Sequence, residues 1–338
     1  MKNTLNILYT CDENYAAYAG ISMYSLFENN KDIEHIRVYL VESGVSDKNK
    51  DRLARQAESF GRELILVDSS DIAEQIKKLD IPAYRGSYSA NFRLFFHTFI
   101  TPDTDRLLYV DCDTLIVGSL APLLTLDMEG KAAGVVRDSL STEYKTMIGF
   151  DEAEDYFNSG VTFIDVKAWS ENRITERLFD HVKNVRSRYC NPDQDLLNIA
   201  LRDCKYILPP EYNFQPSHRA FTHKAYFGAY KHTRYYTEAE LDNAIKHPRI
   251  LHTYRFLGDF PWHKGNLHPD NSLFDKYMKG SLWADYEKRP AGRGIVFTVE
   301  KLLYRILPKS LFLKLFAAIT LRSFKKQNQA ILSEIEGK

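Results

Sequence analysis

The stretch Arg106–Leu120, RLLYVDCDTLIVGSL, decides the reading of this chain. An apolar and aromatic run, Leu107–Val110, leads into two aspartates one residue apart, Asp111 and Asp113, and a β-branched apolar run follows. A buried strand does not tolerate two carboxylates unless something compensates their charge. Alternation along a strand points residues i and i+2 the same way, so the two acids repel unless a cation lies between them. A divalent metal with oxygen ligands relieves that repulsion, and a metal with so few protein ligands commonly also binds substrate phosphates. Asp103 and Asp105 share the spacing, but they follow a proline and are expected in a turn at the N-terminal end of the strand.

The flanking sequence makes that strand one of a series. LNILYT (residues 5–10), HIRVYLVESGVS (35–46) and ELILVDSS (63–70) read as strands, separated by segments with helical spacing. Ser46 is placed as the N-cap of a helix running to about Phe60. Alternating strand and helix predict an α/β, doubly wound, mostly parallel sheet, with ligands bound at the C-terminal edge of its strands. Asp111 and Asp113 fall at that edge. SANFRLFFHTFI (89–100) reads as a helix, as do ITERLFDHVKNV (174–185) and DQDLLNIALRD (193–203). KAAGVV (131–136), FNSGVTFIDVKAW (157–169) and RILHTY (249–254) read as further strands.

Composition narrows the function. Forty-five basic and 45 acidic residues in 338 cancel, which lowers the weight of a nucleic-acid partner. The four cysteines include no C-x-x-C pair and the N-terminus has no apolar signal region, so reduced thiols and a cytoplasmic setting are expected. Cys112 lies between the two aspartates without a second cysteine near it in sequence, and reads as a small buried hydrophobe rather than a soft-metal ligand. His252 ends another expected strand, and an imidazole beside two carboxylates suits Mn²⁺ better than Ca²⁺. Asp12, Asn14 and Tyr15 follow the first strand and offer a carboxylate, an amide and a stacking ring to a nucleoside. G-x-G-x-x-G and P-loop signatures are absent, and TCDENYAAY lacks the Gly-rich basic loop that a nucleotidyltransferase would favour.

Residues 1–285 read as one domain and residues 286–338 as a basic, amphipathic tail. Between Arg293 and Lys326 the tail carries Arg293, Lys301, Arg305, Lys309, Lys314, Arg322, Lys325 and Lys326 against the single acid Glu300. No stretch reaches the ~18 uncharged apolar residues of a membrane span. Such a segment either lies in the interface of an anionic membrane or packs as a helical pair on the main domain.

Six motifs in order resemble the family 8 retaining glycosyltransferases: ILYTCDENYAAYAGISMYSL, NFRLFF, LLYVDCDTLIV, YFNSGVTFIDVKAW, DQDLLN and ILHTY…GDFPWH. The resemblance covers residues 5 to about 265 and implies the GT-A fold, a UDP-hexose donor, Mn²⁺ with Mg²⁺ as the alternative, and transfer with retention to a glycan or glycolipid acceptor. By the same resemblance the hexose would be galactose or glucose, and the setting lipopolysaccharide or other surface polysaccharide synthesis at the inner face of the cytoplasmic membrane. By the family motifs, Asp111, Asp113 and His252 would ligate the metal. Asp12, Asn14 and Tyr15 would hold uridine, with Thr10 and Cys112 beside them in the cofactor-binding set. Arg93, Asp138, Asn158, Asp193 and Gln194 would contact the donor sugar. Gln194 would stabilise the β-face, so that Gln194, Asp193 and Asp138 are the catalytic candidates. Asp193 also reads as a helix N-cap, and Asp195 as structural. One departure stands out: Phe260 occupies the place of the family's diphosphate-binding lysine, and Arg255 and Lys264 are the candidate replacements. That loss leaves a non-catalytic UDP-sugar-binding or membrane-docking module as the alternative reading.

Overall fold

The computed structural model describes residues 4–336 apart from 82, 84–86, 186–190 and 292–293, so Pro82, Cys190 and Arg293 lie outside the described residues. Among the described residues nine strands form two sheets: β1 (Thr4–Asp12), β2 (His35–Ser43), β3 (Glu63–Asp68), β4 (Arg106–Val110), β5 (Thr114–Ile116), β6 (Ala133–Arg137), β7 (Phe157–Asp165), β8 (Lys205–Ile207) and β9 (Ile250–His252). The main sheet has the order β3-β2-β1-β4-β7-β6-β8, and β5 and β9 make a separate pair. β7 runs antiparallel to both of its neighbours and every other pairing in the main sheet is parallel. This is the mixed, mostly parallel α/β sheet that the alternating sequence predicts. β1 connects onward to β2 on one side while β4 lies on its other side. The gap beyond their C-terminal ends is therefore the switch point at which open α/β sheets bind ligands.

Central strands are nearly continuous apolar runs because helices cover both faces. Leu5, Ile7, Tyr9, Val38 and Leu40 belong to one buried cluster, and Leu8, Tyr39 and Val41 to another. The Ser46 expectation holds: its Oγ accepts from Asn49 N at 3.4 Å, capping the helix Asp47–Ser59.

Three local expectations change. RLLYVDCDTLIV is not one strand. It breaks at Asp111–Asp113, where Thr114 N and Thr114 Oγ1 both bond the Asp111 carbonyl, at 3.2 and 2.8 Å. The two carboxylates thus sit in a turn and not on a pleated face. β5 leaves the main sheet there and pairs with β9, with Thr114 opposite His252. Second, Ser89–Thr98 is a 3₁₀ helix rather than an α-helix. Residues Asn91–Phe96 are all buried, so no single apolar stripe selects the 3.6-residue period. Third, FNSGVTFIDVKAW ends as a helix: Asp165 caps Val166–Glu171 by accepting from Ala168 N at 2.9 Å.

The tail forms two helices, Ile295–Ile306 and Lys309–Glu336. The first has no fully buried residue. The second buries Phe312, Leu313 and Ala317, with Phe312 stacked on Phe221 and Phe324 edge-on to Tyr144. Lys301 pairs with the fully buried Asp259 and ties the first helix to the body.

Candidate active site

The Asp111–Asp113 turn brings three ligand types together. One oxygen from each aspartate and one nitrogen of His252 lie within 4.8 Å of one another. His252 Nε2 is 3.3 Å from Asp113 Oδ1 and 3.6 Å from Asp111 Oδ2. The β5–β9 pairing creates this meeting, and Thr253 N reinforces it by donating to the Asp113 carbonyl at 2.7 Å. His252 Nδ1 lies 3.0 Å from Asn213 Oδ1. An amide oxygen only accepts, so this contact holds a proton on Nδ1 and leaves Nε2 as the nitrogen that would ligate a cation. Two carboxylates and a neutral imidazole are a donor set that fits Mn²⁺ or Mg²⁺.

The electrostatics follow from this crowding of buried charges. Burial pushes the Asp111 carboxyl up, Arg93 pulls it back and Asp113 pushes it up again, leaving it above the ordinary range. Burial lowers His252, but Asp113 and Asp111 outweigh it and the imidazole is raised. Gly160 permits this closeness. A Cβ there would overlap the His252 ring and lie 2.7 Å from Asp111 Oδ2. Gly160 also takes the Asp111 N–H on its carbonyl, at 2.8 Å. Gly160→Ala is therefore expected to displace Asp111 and His252, and, if these hold a cation, to be seen as loss of Mn²⁺ binding by calorimetry with the far-ultraviolet circular dichroism retained.

A second group of residues adjoins the first. Buried Arg93 donates to Asp193, to the Ser159 carbonyl at 2.7 Å and to Ser159 Oγ at 3.1 Å, and lies 3.7 Å from Asp111. Its guanidinium sits 4.4 Å over the Tyr109 ring, whose hydroxyl donates to Asp111. Asp193 is not the N-cap. The helix Pro192–Ala200 begins two residues earlier than that cap would set it, with Asn191 at the cap position, and Asp193 points from the first turn to Arg93. Gln194 Oε1 accepts from Ser159 N at 3.1 Å, while Nε2 donates to Tyr156 Oη at 2.9 Å and to Asp138 Oδ2 at 3.3 Å. Asn158 bridges, donating to Asp138 Oδ2 at 2.8 Å and accepting from Asn213 Nδ2 at 2.9 Å. Asp138 is raised by burial, against the hydrogen bonds from Asn158 and Leu140 N. Asp195 is structural: buried, it accepts from Tyr156 at 2.6 Å and Tyr144 at 2.8 Å, and burial pushes it up to about 7.

These residues line one cavity of about 460 Å³, within the range of small-molecule sites. Its walls include Tyr15, Arg93, Asp111, Asp113, Asp138, Asn158, Asp193, Gln194 and His252. Thr10, Asp12, Asn14 and Cys112 do not line it. Asp12 Oδ1 accepts from Asn14 N at 2.9 Å in the turn after β1, and Cys112 Sγ donates to the Thr10 carbonyl at 3.3 Å. Arg255 reaches the cavity and Lys264 does not. Arg255 sits 5.4 Å over Phe260, which stacks on Trp262 at 4.4 Å. The sequence reading missed Asn213, Ser159, Gly160 and Tyr109 as parts of the site. FNSG pointed to its own neighbourhood, while nothing in sequence ties Asn213 to His252.

The family model described as glycosyl transferase family 8 matches residues 6–265. This chain belongs to that family. It is 29% identical to the lipopolysaccharide 1,2-glucosyltransferase of Escherichia coli K12 over 87% of this chain and 83% of that one. It is 24% identical to the lipopolysaccharide 1,3-galactosyltransferase of Salmonella typhimurium, over 82% and 79%. The crystal structure of the galactosyltransferase LgtC with donor and acceptor sugar analogs superposes with a TM-score of 0.66 at 25% identity, covering 82% of this chain and 96% of LgtC. The mixed sheet and its flanking helices are the GT-A fold, and the family-8 chain is a sugar-transferring enzyme.

Proposed function

We propose that this protein transfers a hexose, galactose or glucose, from a UDP-sugar to a glycan acceptor with retention of anomeric configuration, in lipopolysaccharide or other surface polysaccharide synthesis. The observation that carries this reading is the joining of the Asp111–Asp113–His252 cluster and the Arg93–Asp193–Gln194–Asp138 cluster in one cavity at the switch point of the sheet. A divalent ion held by Asp111, Asp113 and His252 would neutralise the diphosphate as UDP departs. Arg93 and Asp193 orient the hexose, and Asp138 and Asn158 fix its hydroxyls. Gln194 Oε1 already accepts a backbone N–H, which favours a stabilising role over nucleophilic attack. The acceptor hydroxyl then bonds to the anomeric carbon on the face that UDP leaves, and its proton passes to the departing phosphate oxygen. The test is UDP release with Mn²⁺ from UDP-galactose and UDP-glucose, comparing wild type with Asp111→Asn. Turnover of one donor, lost in the variant, supports the reading. UDP binding without turnover in the presence of acceptor sugars leaves the non-catalytic module.

Arg255 supplies the cation that Phe260 displaced. It is held over the Phe260 ring on the wall of the cavity that Asp111 and Asp113 also line, and there it would contribute positive charge to a bound diphosphate. Arg255→Ala is expected to raise the Kd for UDP about tenfold or more, the loss of a charged hydrogen bond of about 1.5–3 kcal/mol. Lys264→Ala should leave it within twofold, and the reverse pattern by calorimetry would transfer the role to Lys264.

The tail would dock on an anionic membrane surface. Among the described residues no helix is long and apolar enough to span a bilayer. Ile295, Val296, Val299, Leu302, Ile306, Leu311, Leu315 and Ile319 are exposed beside Arg305, Lys309, Lys314 and Arg322. That pairing of apolar and basic side chains suits a charged lipid interface. Replacing Ile295, Val299, Leu302 and Ile306 together by Ser should reduce binding to phosphatidylglycerol vesicles more than tenfold, given roughly 1.5–3 kcal/mol per fully buried aliphatic side chain. Unchanged co-sedimentation refutes the interfacial role.

A further inference from the structure

The cavity has a wall that the family motifs do not account for. Phe316, Thr320 and Phe324 of the helix Lys309–Glu336 line it together with Leu140, Tyr230 and Tyr254. The three tail residues stand at i, i+4 and i+8, so they form one stripe along one helix face. All three are only partly covered, so they retain surface to offer a ligand. The neighbouring inward residues Phe312, Leu313 and Ala317 are buried against the body and hold the helix in place. Phe316 is stacked on Phe312 with centroids 5.8 Å apart, and Phe324 meets Tyr144 edge-on at 5.0 Å. The stripe is therefore braced from the body side.

We infer that this stripe is the acceptor subsite, where Phe316 and Phe324 take the apolar C–H face of a sugar ring and Thr320 bonds one of its hydroxyls. The inference rests on the transferase reading above and adds to it the place of the second substrate. Three observations lead there. The metal cluster and the Arg93–Asp193–Gln194 group are charged and polar, suited to a diphosphate and a hexose, whereas the tail stripe offers two phenyl rings and one hydroxyl. A ring with one aliphatic face and a hydroxyl rim is what such a surface complements. The matched family segment ends at residue 265, and every donor-side residue lies within it, while the stripe begins at residue 316. Donor recognition is thus complete without the tail, and a transferase needs a second substrate in the same cavity. Tyr230 and Tyr254, from the body, continue the aromatic surface of the stripe. Acceptor choice would accordingly be written in a part of the chain that lies outside the family's matched segment.

The experiment measures UDP release from the preferred UDP-hexose with Mn²⁺, titrating methyl β-D-galactopyranoside and methyl α-D-glucopyranoside as acceptor probes. Wild type is compared with Phe316→Ala and Thr320→Val. Each variant should raise the KM for the active glycoside, about tenfold for Phe316→Ala, equivalent to a lost aromatic contact. The KM for the UDP-hexose should move less than twofold. Thr320→Val removes the hydroxyl at nearly constant volume, so it reads the subsite even if Phe316→Ala loosens the helix. Equal KM changes for both substrates, or none for the glycoside, overturn the subsite while leaving the transferase reading intact. A wild type that releases UDP but responds to neither glycoside overturns it as well. A wild type that turns over no UDP-hexose overturns the transferase reading first, and the subsite with it.

Discussion

Asp113→Asn is expected to abolish turnover in the presence of Mn²⁺ and to leave a folded protein. The change removes one negative charge from a site where Asp111 and Asp113 face each other across His252. An amide is a weak ligand for a hard divalent cation, so affinity for Mn²⁺ collapses. Losing the charge stabilisation of a departing diphosphate costs several kcal/mol of barrier, on the order of a thousandfold or more in rate. The fold has no reason to fail. Among the described residues the Asp113 carboxylate pairs with His252 alone, and its carbonyl, which holds Thr253, is untouched by the substitution. Asp111 is the poorer choice for this test, because it also takes the Tyr109 hydroxyl and lies beside Arg93. Calorimetric titration with Mn²⁺ and a thermal melt decide the matter. Full turnover by the variant would remove Asp113 from the metal site. A melting temperature that falls by many degrees would mean that the carboxylate serves the fold.

The parts of this site that were legible in sequence share a property: each is fixed by its own strand or turn. Alternating strands and helices placed the C-terminal edge of the sheet, and that edge placed Asp111 and Asp113 without any knowledge of their partners, whereas Asp138 came from the family motifs. The spacing of Asp111 and Asp113 suggested paired carboxylates, though for a different geometric reason. A strand would align them by its two-residue period; here a turn does, and the break frees β5 to pair with β9. What stayed hidden depends on long-range contacts. Asn213 orients His252 across 39 residues and Arg93 meets Asp193 across 100. The family motifs supplied Arg93 and Asp193, whereas no pattern supplied Asn213. The tail shows the same limit. Its basic and apolar composition suggested a surface role, but composition does not say which face of the helix Lys309–Glu336 looks inward. Packing against Phe221 and Tyr144 decides that, and it sets Phe316 and Phe324 on the cavity wall.

Arg93→Ala should damage stability as well as activity, and its pH dependence separates the two. Arg93 is only 5% exposed, and its guanidinium meets Asp193, Asp111, Ser159 and the Tyr109 ring. Burial alone would depress its pKa, but Tyr109, Asp193 and Asp111 hold it above the ordinary value, so it remains a cation. Removing it strands the buried carboxylate of Asp193 and leaves the partly exposed one of Asp111 without its cation. Breaking a buried pair from one side costs about 3–5 kcal/mol, because the remaining charge is uncompensated. The sign of the pH effect follows from Asp111. Burial already raises its pKa, and Arg93 is the largest influence pulling it back. Without Arg93 the folded-state value climbs further above the unfolded one. A carboxyl raised in this way favours folding when protonated and opposes it when ionised. The variant should therefore be weakest relative to wild type at neutral pH, and the gap should narrow as acidification protonates Asp111. Chemical denaturation of both proteins from neutral to mildly acidic pH gives the comparison. A gap that is constant with pH would mean that Arg93 contributes packing rather than charge, and that Asp111 and Asp193 are neutralised by other means. Added Mn²⁺ offers a second check. A cation at Asp111 and Asp113 should recover part of the stability lost by Arg93→Ala, since it screens one of the two stranded carboxylates, and should recover none if the metal is held elsewhere.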